Sequence, residues 1–196
     1  MSNPTTSRST TRPTIGTTDL ALIATFAALI AVCAQLTVGS INVPFTLQMF
    51  AIFLAASMLG AVRGFLTVLL YLAVGTAGLP VFAKGAAGPA VWAGETAGYL
   101  LAFPIAALIV GFVAHRVARR DPATFVVVVS VAAAIVTVAV VGTLGTLGMA
   151  LKFDVSLAVA WGYATPFFVA DIVKGVLAAV VAASVLRAFP QLVTRR

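Results

Sequence analysis

The sequence predicts an all-α integral membrane protein of six transmembrane helices, built as one domain. Three observations carry that expectation. The chain is 62% hydrophobic and only 9% charged, whereas a soluble domain carries about 25% charged residues. Six apolar segments of helical length can be drawn between shorter polar or glycine-rich stretches. All nine arginines fall in stretches that lie on one side of such a bundle.

Residues 1–17 are polar and rich in Ser, Thr and Pro, with no apolar block near the start. They are expected to form a disordered cytoplasmic tail rather than a signal peptide. The first apolar segment, Leu20–Val38, has an N-cap among Thr17, Thr18 and Asp19. It holds Cys33, the single cysteine, which is read as packing because no disulfide can form within the chain. Ala24 with Ala28, and Ala27 with Ala31, make two small-xxx-small pairs. Such pairs let helices approach closely, so they serve either packing inside the bundle or docking of another membrane protein.

The second and third segments, Phe45–Leu59 and Phe65–Leu79, are short for a hydrocarbon core of roughly 30 Å. Pro44 suits the first turn of the second helix. The connection Pro80–Thr96 contains Phe82, Lys84, Trp92 and Glu95 among many Gly and Ala. It is too apolar for an exposed loop and is expected to fold over the bundle as a lid, with Phe82 and Trp92 as apolar walls. Trp92 and Tyr99 also fit an interfacial aromatic belt, and Glu95 is either a pocket residue or a solvated outer charge, the second being preferred. The fourth segment is Ala97–Ala114. The fifth, Thr124–Gly148, is long and carries Gly142, Gly145 and Gly148, which predicts a tilted or bent helix. The sixth, Pro166–Leu186, completes a membrane domain over 18–189, and a basic cytoplasmic tail follows over 190–196.

The positive-inside rule orients this bundle. Arg8 and Arg12 precede the first helix, Arg63 lies between the second and third, and Arg116, Arg119 and Arg120 follow the fourth. Arg187, Arg195 and Arg196 follow the sixth. With both termini in the cytoplasm, every arginine is cytoplasmic, and the outer side receives only Lys84 and Lys152. The net charge of +7 is therefore a matter of topology, which argues against a nucleic-acid partner.

Asp171 and Lys174 stand out inside the sixth segment. A spacing of three puts both on one helical face. Each charge costs roughly 2.5–3.5 kcal/mol to place in hydrocarbon, so both should face protein or a water-filled cavity. At about 1.5 Å per residue they lie roughly 8 and 12 Å below a helix start at Pro166. Gln48 and Tyr99 fall near the outer starts of the second and fourth helices. Polar groups thus gather in the outer half, as for a pocket open to the outside. There Lys174 could receive a ligand carboxylate and Asp171 could accept ligand N–H groups. A pair that merely neutralises itself is the competing reading, and an interhelical hydrogen bond is the competing role for Gln48.

No phosphate-cradling loop, metal-ligand cluster or nucleophile–base set is seen, and His115 sits beside Arg116 at the cytoplasmic end. The expectation is that the chain is not an enzyme and holds no cofactor or metal. Uphill transport then needs a partner or an ion gradient.

Four pieces, Val43-Pro44-Phe45-Thr46-Leu47-Gln48, Gly78-Leu79-Pro80-Val81-Phe82-Ala83, Gly98-Tyr99-Leu100 and Asp171-Ile172-Val173-Lys174, recur in the order and spacing of a known family. The chain resembles BioY, the biotin-specific S component of energy-coupling factor vitamin transporters. The resemblance implies a six-helix S-component bundle in the bacterial cytoplasmic membrane that binds biotin from outside. It implies a membrane coupling subunit and two cytoplasmic ATPases as partners, docking on the small-residue face of Ala24, Ala27, Ala28 and Ala31. By position, Gln48, Tyr99, Asp171 and Lys174 would contact biotin, with Thr46 beside Gln48 and with Phe82 and Trp92 lining the loop. The family usually has Gly-Pro-Thr-Gly-Gly-Tyr where this chain has Gly94-Glu95-Thr96-Ala97-Gly98-Tyr99, so the lid backbone is expected to differ. Uptake by the chain alone or as a homo-oligomer, and a non-transporting membrane scaffold, are the alternatives.

Overall fold

The structure, a computed structural model, describes residues 16–38 and 45–189. The expectations for the two terminal tails and for Pro44 lie outside the described residues, apart from Gly16 and Thr17 at the end of the first tail. Six helices follow one another: α1 (Thr17–Gln35), α2 (Gln48–Leu59), α3 (Ala61–Thr76), α4 (Ala97–Val117), α5 (Pro122–Phe153) and α6 (Leu157–Ala188). Between α1 and α2, β1 (Thr37–Val38) pairs antiparallel with β2 (Phe45–Thr46). Four helices are long and apolar enough to cross a membrane, and α2 and α3 are the shorter apolar ones. Outward-facing Leu101, Phe112, Val127, Val131, Ile135 and Val173 are all exposed, as lipid-facing side chains are. The chain is a membrane protein.

The short helix is the central one. Every residue of α2 except Phe50 is buried, and α2 packs against α1, α3, α4 and α6. Because it is hydrophobic all round, it has no solvent or lipid face to offer and is stable only inside the ring of longer helices. Glycines allow the close approaches that hold α4 in that ring. A methyl group at Gly98 would collide with the Leu144 backbone, and one at Gly111 with the backbone of Gly60.

Several helix ends differ from those expected. Gly16 is the N-cap of α1, and the Asp19 side chain instead accepts the Gly16 N–H at 3.2 Å. Asp19 also pairs with Arg63 Nε at 3.2 Å, tying α1 to α3. Phe45 and Thr46 are extended rather than helical, because they complete the β1–β2 pair. The irregularity expected of the fifth segment is a π-helical turn at Thr137–Gly142. That helix starts at Pro122, where Asp121 caps it by accepting the Thr124 N–H at 2.9 Å. Hydrogen bonds from Thr124 hold the Asp121 carboxyl below its ordinary range.

The largest correction concerns α6. It begins at Leu157, behind an N-cap hydroxyl from Ser156, and Pro166 lies within it. Proline reads as a helix start, but a membrane helix tolerates one internally when neighbouring groups satisfy the freed carbonyl. Asp171 and Lys174 are therefore about 21 and 26 Å along the axis from the first residue of α6, not 8 and 12 Å.

Alternation of the helices puts Arg63, Arg116, Arg119, Arg120 and Arg187 at one end of the bundle and Lys84 and Lys152 at the other. The alanines of α1 divide. Ala24 and Ala28 are exposed, whereas Ala27 is buried and Ala31 half-buried. The second pair thus packs into the bundle, and only the first is open to another protein.

Candidate ligand-binding site

A cavity of about 220 Å³ lies at the end of the bundle opposite the arginines. It is lined by Thr46, Gln48, Phe82, Tyr99, Asp171 and Lys174, six of the seven residues expected to bind ligand. Four elements and one connection bring them together: β2 gives Thr46, α2 begins with Gln48, α4 gives Tyr99 in its first turn, α6 gives the ion pair, and the connection between α3 and α4 gives Phe82.

Lys174 Nζ donates to Asp171 Oδ1 at 2.6 Å. The two side chains are 13% and 10% exposed, and that remaining surface opens on the cavity. The pair neutralises itself, as the competing reading required, yet both members line a space a ligand can enter. Each keeps hydrogen-bonding capacity, since Lys174 has three N–H donors and Asp171 a second oxygen.

Gln48 is held on two sides. Its Nε2 donates to the Tyr71 hydroxyl at 2.7 Å, and its Oε1 accepts from the Thr46 hydroxyl at 2.9 Å. Tyr99 stands on Gly145, where any side chain would overlap its ring. Its hydroxyl is buried without a hydrogen-bond partner among the described residues.

The lid is the connection between α3 and α4, built from two short 3-10 turns, Ala83–Gly85 and Pro89–Ala93. Phe82 anchors it. Its ring fills the space above Gly75 and meets Tyr71 edge-on at 5.4 Å. Its carbonyl accepts from Gln35 Nε2 at 3.0 Å. Lys84 takes a left-handed backbone conformation, φ 58°, at the rim of the cavity. Such a conformation is uncommon for a residue with a side chain.

Two expectations for the lid are corrected. Trp92 does not line the cavity; its Nε1 donates to Thr76 Oγ1 at 2.9 Å, so the ring fastens the lid to the end of α3. A half-buried indole N–H needs an acceptor, and here Thr76 supplies it. Glu95 is not a purely solvated charge, because it is half-buried and lines the cavity with Lys84.

Sequence reasoning missed Tyr71, Phe103 and Phe167. Phe103 and Phe167 form apolar wall, and Phe167 stacks on Phe45 at 4.1 Å with 16° between the rings. The signal for Phe167 was present, since it lies one helical turn before Asp171 on the same face. Tyr71 carried no such signal, sitting in an apolar run with only the neutral Thr67 and Thr76 nearby. Among the described residues no cluster of His, Cys, Asp and Glu could hold a metal ion.

The chain matches the BioY family over residues 4–191. It is 36% identical over 170 residues to the biotin transporter BioY2 of Lactococcus lactis subsp. cremoris (strain MG1363), covering 87% of this chain and 91% of that protein. It is 32% identical over 186 residues to the biotin transporter BioY of Rhizobium etli, covering 92% of this chain and 100% of that one. The fold is similar to the crystal structure of the S-component for biotin from an ECF-type ABC transporter, with a TM-score of 0.76 at 24% identity. That match covers 87% of this chain and 91% of the other. Taken with the motifs and the cavity they line, the match along almost the entire length shows that this chain belongs to the BioY family.

Proposed function

We propose that the protein is the biotin-recognising membrane subunit of an energy-coupling factor transporter, taking up biotin from outside and delivering it across the membrane. The observation that carries this reading is the buried Asp171–Lys174 pair opening on a cavity shared with Gln48 and Tyr99. Biotin suits that chemistry. Its cyclic urea offers two N–H groups and a carbonyl, its bicycle and chain are apolar, and it ends in a carboxylate. Closed on each other at 2.6 Å, the two charges meet one end of such a ligand, not both. Asp171 accepts a urea N–H, and Lys174 donates both to Asp171 and to the ligand's oxygen. Phe103 and Phe167 flank the apolar body, and the carboxylate lies toward Lys84 at the rim.

The lid end faces outside and the arginine end faces the cytoplasm of a bacterial cell, by the positive-inside rule. ATP hydrolysis takes place on partners, a membrane coupling subunit and two ATPases, which dock over exposed Ala24 and Ala28. The test is calorimetry on the purified protein in detergent. Biotin should bind at one site and be displaced by no unrelated carboxylic acid. Absence of binding overturns the reading. In vesicles, uptake should require the ATPase partners, and uptake without them would assign transport to the chain alone.

A further inference from the structure

We propose that Tyr71 is a positioning residue for the ligand's cyclic urea: it fixes which way round the Gln48 amide faces the cavity. This rests on the biotin reading above. Tyr71 is 2% exposed and does not itself line the cavity. Its hydroxyl lies between Gln48 Nε2 at 2.7 Å and the Val81 carbonyl at 3.3 Å. A carbonyl only accepts, so the single hydroxyl proton goes to Val81, and the hydroxyl must accept from Gln48. The amide group facing Tyr71 is therefore the NH2, an orientation that follows from the network.

The other side of the amide says the same. Thr46 Oγ1 accepts the Gln48 backbone N–H at 3.3 Å and donates to Oε1 at 2.9 Å. Two anchors, one on the lid through Val81 and one on β2, thus hold the orientation together: Tyr71 accepts only from the NH2, and only this way round does the Thr46 hydroxyl proton reach the amide. An amide has two N–H donors and two acceptor lone pairs, and the anchors use one of each. What remains facing the cavity is an adjoining donor and acceptor. That edge complements the C=O and N–H of a cyclic urea whose other N–H is taken by Asp171. Turned over, the amide would set its oxygen against the urea carbonyl and its N–H against the urea N–H. Tyr71 is also held by the lid, since its ring meets Phe82 edge-on. A correctly folded lid is thereby part of the specificity for the urea.

The experiment compares biotin with 2-iminobiotin, in which the carbonyl oxygen is replaced by an N–H-bearing nitrogen, by calorimetry at pH 7. Wild type should prefer biotin. Tyr71→Phe removes the acceptor and lets the amide turn, so the preference should narrow by about tenfold, the effect of one misdirected hydrogen bond. In a Gln48→Met background, Tyr71→Phe should change the preference no further. Thr46→Val releases the opposite side of the amide and should narrow the preference in the same sense, without touching the lid or the core around Tyr71. Equal weakening of both ligands by Tyr71→Phe, or the same narrowing in the Gln48→Met background, would overturn the inference. An unchanged preference in Thr46→Val would overturn it too, even if the Tyr71 variant did not fold. Wild type that binds biotin while these variants keep its preference refutes the positioning role alone. Wild type that binds no biotin refutes the functional reading and this inference with it.

Discussion

Changing Asp171 to Asn, Lys174 to Met, and then both together separates a ligand site from an ion pair that only stabilises the bundle. The pair closes at 2.6 Å with little surface left, 13% for Lys174 and 10% for Asp171. Removing one partner of a buried pair strands the other and costs about 3–5 kcal/mol. Water in the cavity softens that penalty, so each single variant should lose about 3 kcal/mol, the lower end of that range. Removing both strands nothing. The double variant should therefore recover to within about 1 kcal/mol of wild type, because an ion pair replaced by neutral groups is often close to neutral in stability. Binding should not follow stability. Losing a buried charged partner costs a ligand about 2–5 kcal/mol, so the double variant should bind biotin at least thirtyfold more weakly. Thermal melting in detergent reads the first quantity and calorimetry with biotin the second. A double variant that melts like wild type and binds biotin within about threefold of it would refute the reasoning, since the pair would then be structural alone.

Other parts of the site make separate predictions. Gly145→Ala drives a methyl group into the Tyr99 ring, and overpacking of this kind costs about 1–3 kcal/mol. Displacement of Tyr99 should show as weaker biotin binding by calorimetry. Trp92→Phe breaks the hydrogen bond to Thr76 and should cost about 1 kcal/mol in melting experiments while leaving biotin affinity within about twofold. On α1, Ala28→Leu should leave biotin binding intact but abolish ATP-dependent uptake into vesicles, because Ala28 is exposed. Ala27→Leu should instead destabilise the protein itself, since Ala27 is buried.

How much was legible in the sequence varied with the kind of force at work. Membrane helices are read well from composition because an apolar run has few alternatives in a bilayer. The alternation of arginines likewise separates the two ends by sequence alone. Asp171 and Lys174 announced themselves because charge is rare in such a helix. Packing geometry was much less visible. Pro166 looked like a helix start because sequence shows its missing N–H but not the helix that already runs before it from Leu157. Phe45 and Thr46 looked helical because the partner strand, Thr37–Val38, lies across a connection whose course no local rule predicts. Trp92 and Glu95 were assigned to the wrong sides of the lid for the same reason. Loop side chains follow nearby acceptors such as Thr76 Oγ1, and these are set by the tertiary fold. Tyr71 was missed because its importance lies entirely in what it touches.

The brevity of α2 has a consequence for the permeability barrier. Twelve residues span only about 18 Å, against roughly 30 Å of hydrocarbon. With the Gly60 end of α2 level with the arginine-bearing surface, Gln48 stands about 12 Å below the opposite surface. A molecule resting on Gln48 has thus already travelled more than a third of the way through the bilayer. The insulating layer beneath it is the length of α2 alone, plugged by Ile52, Phe53 and Leu59. On that placement the barrier to protons and small ions is that thin stack of side chains, rather than the full thickness of the membrane.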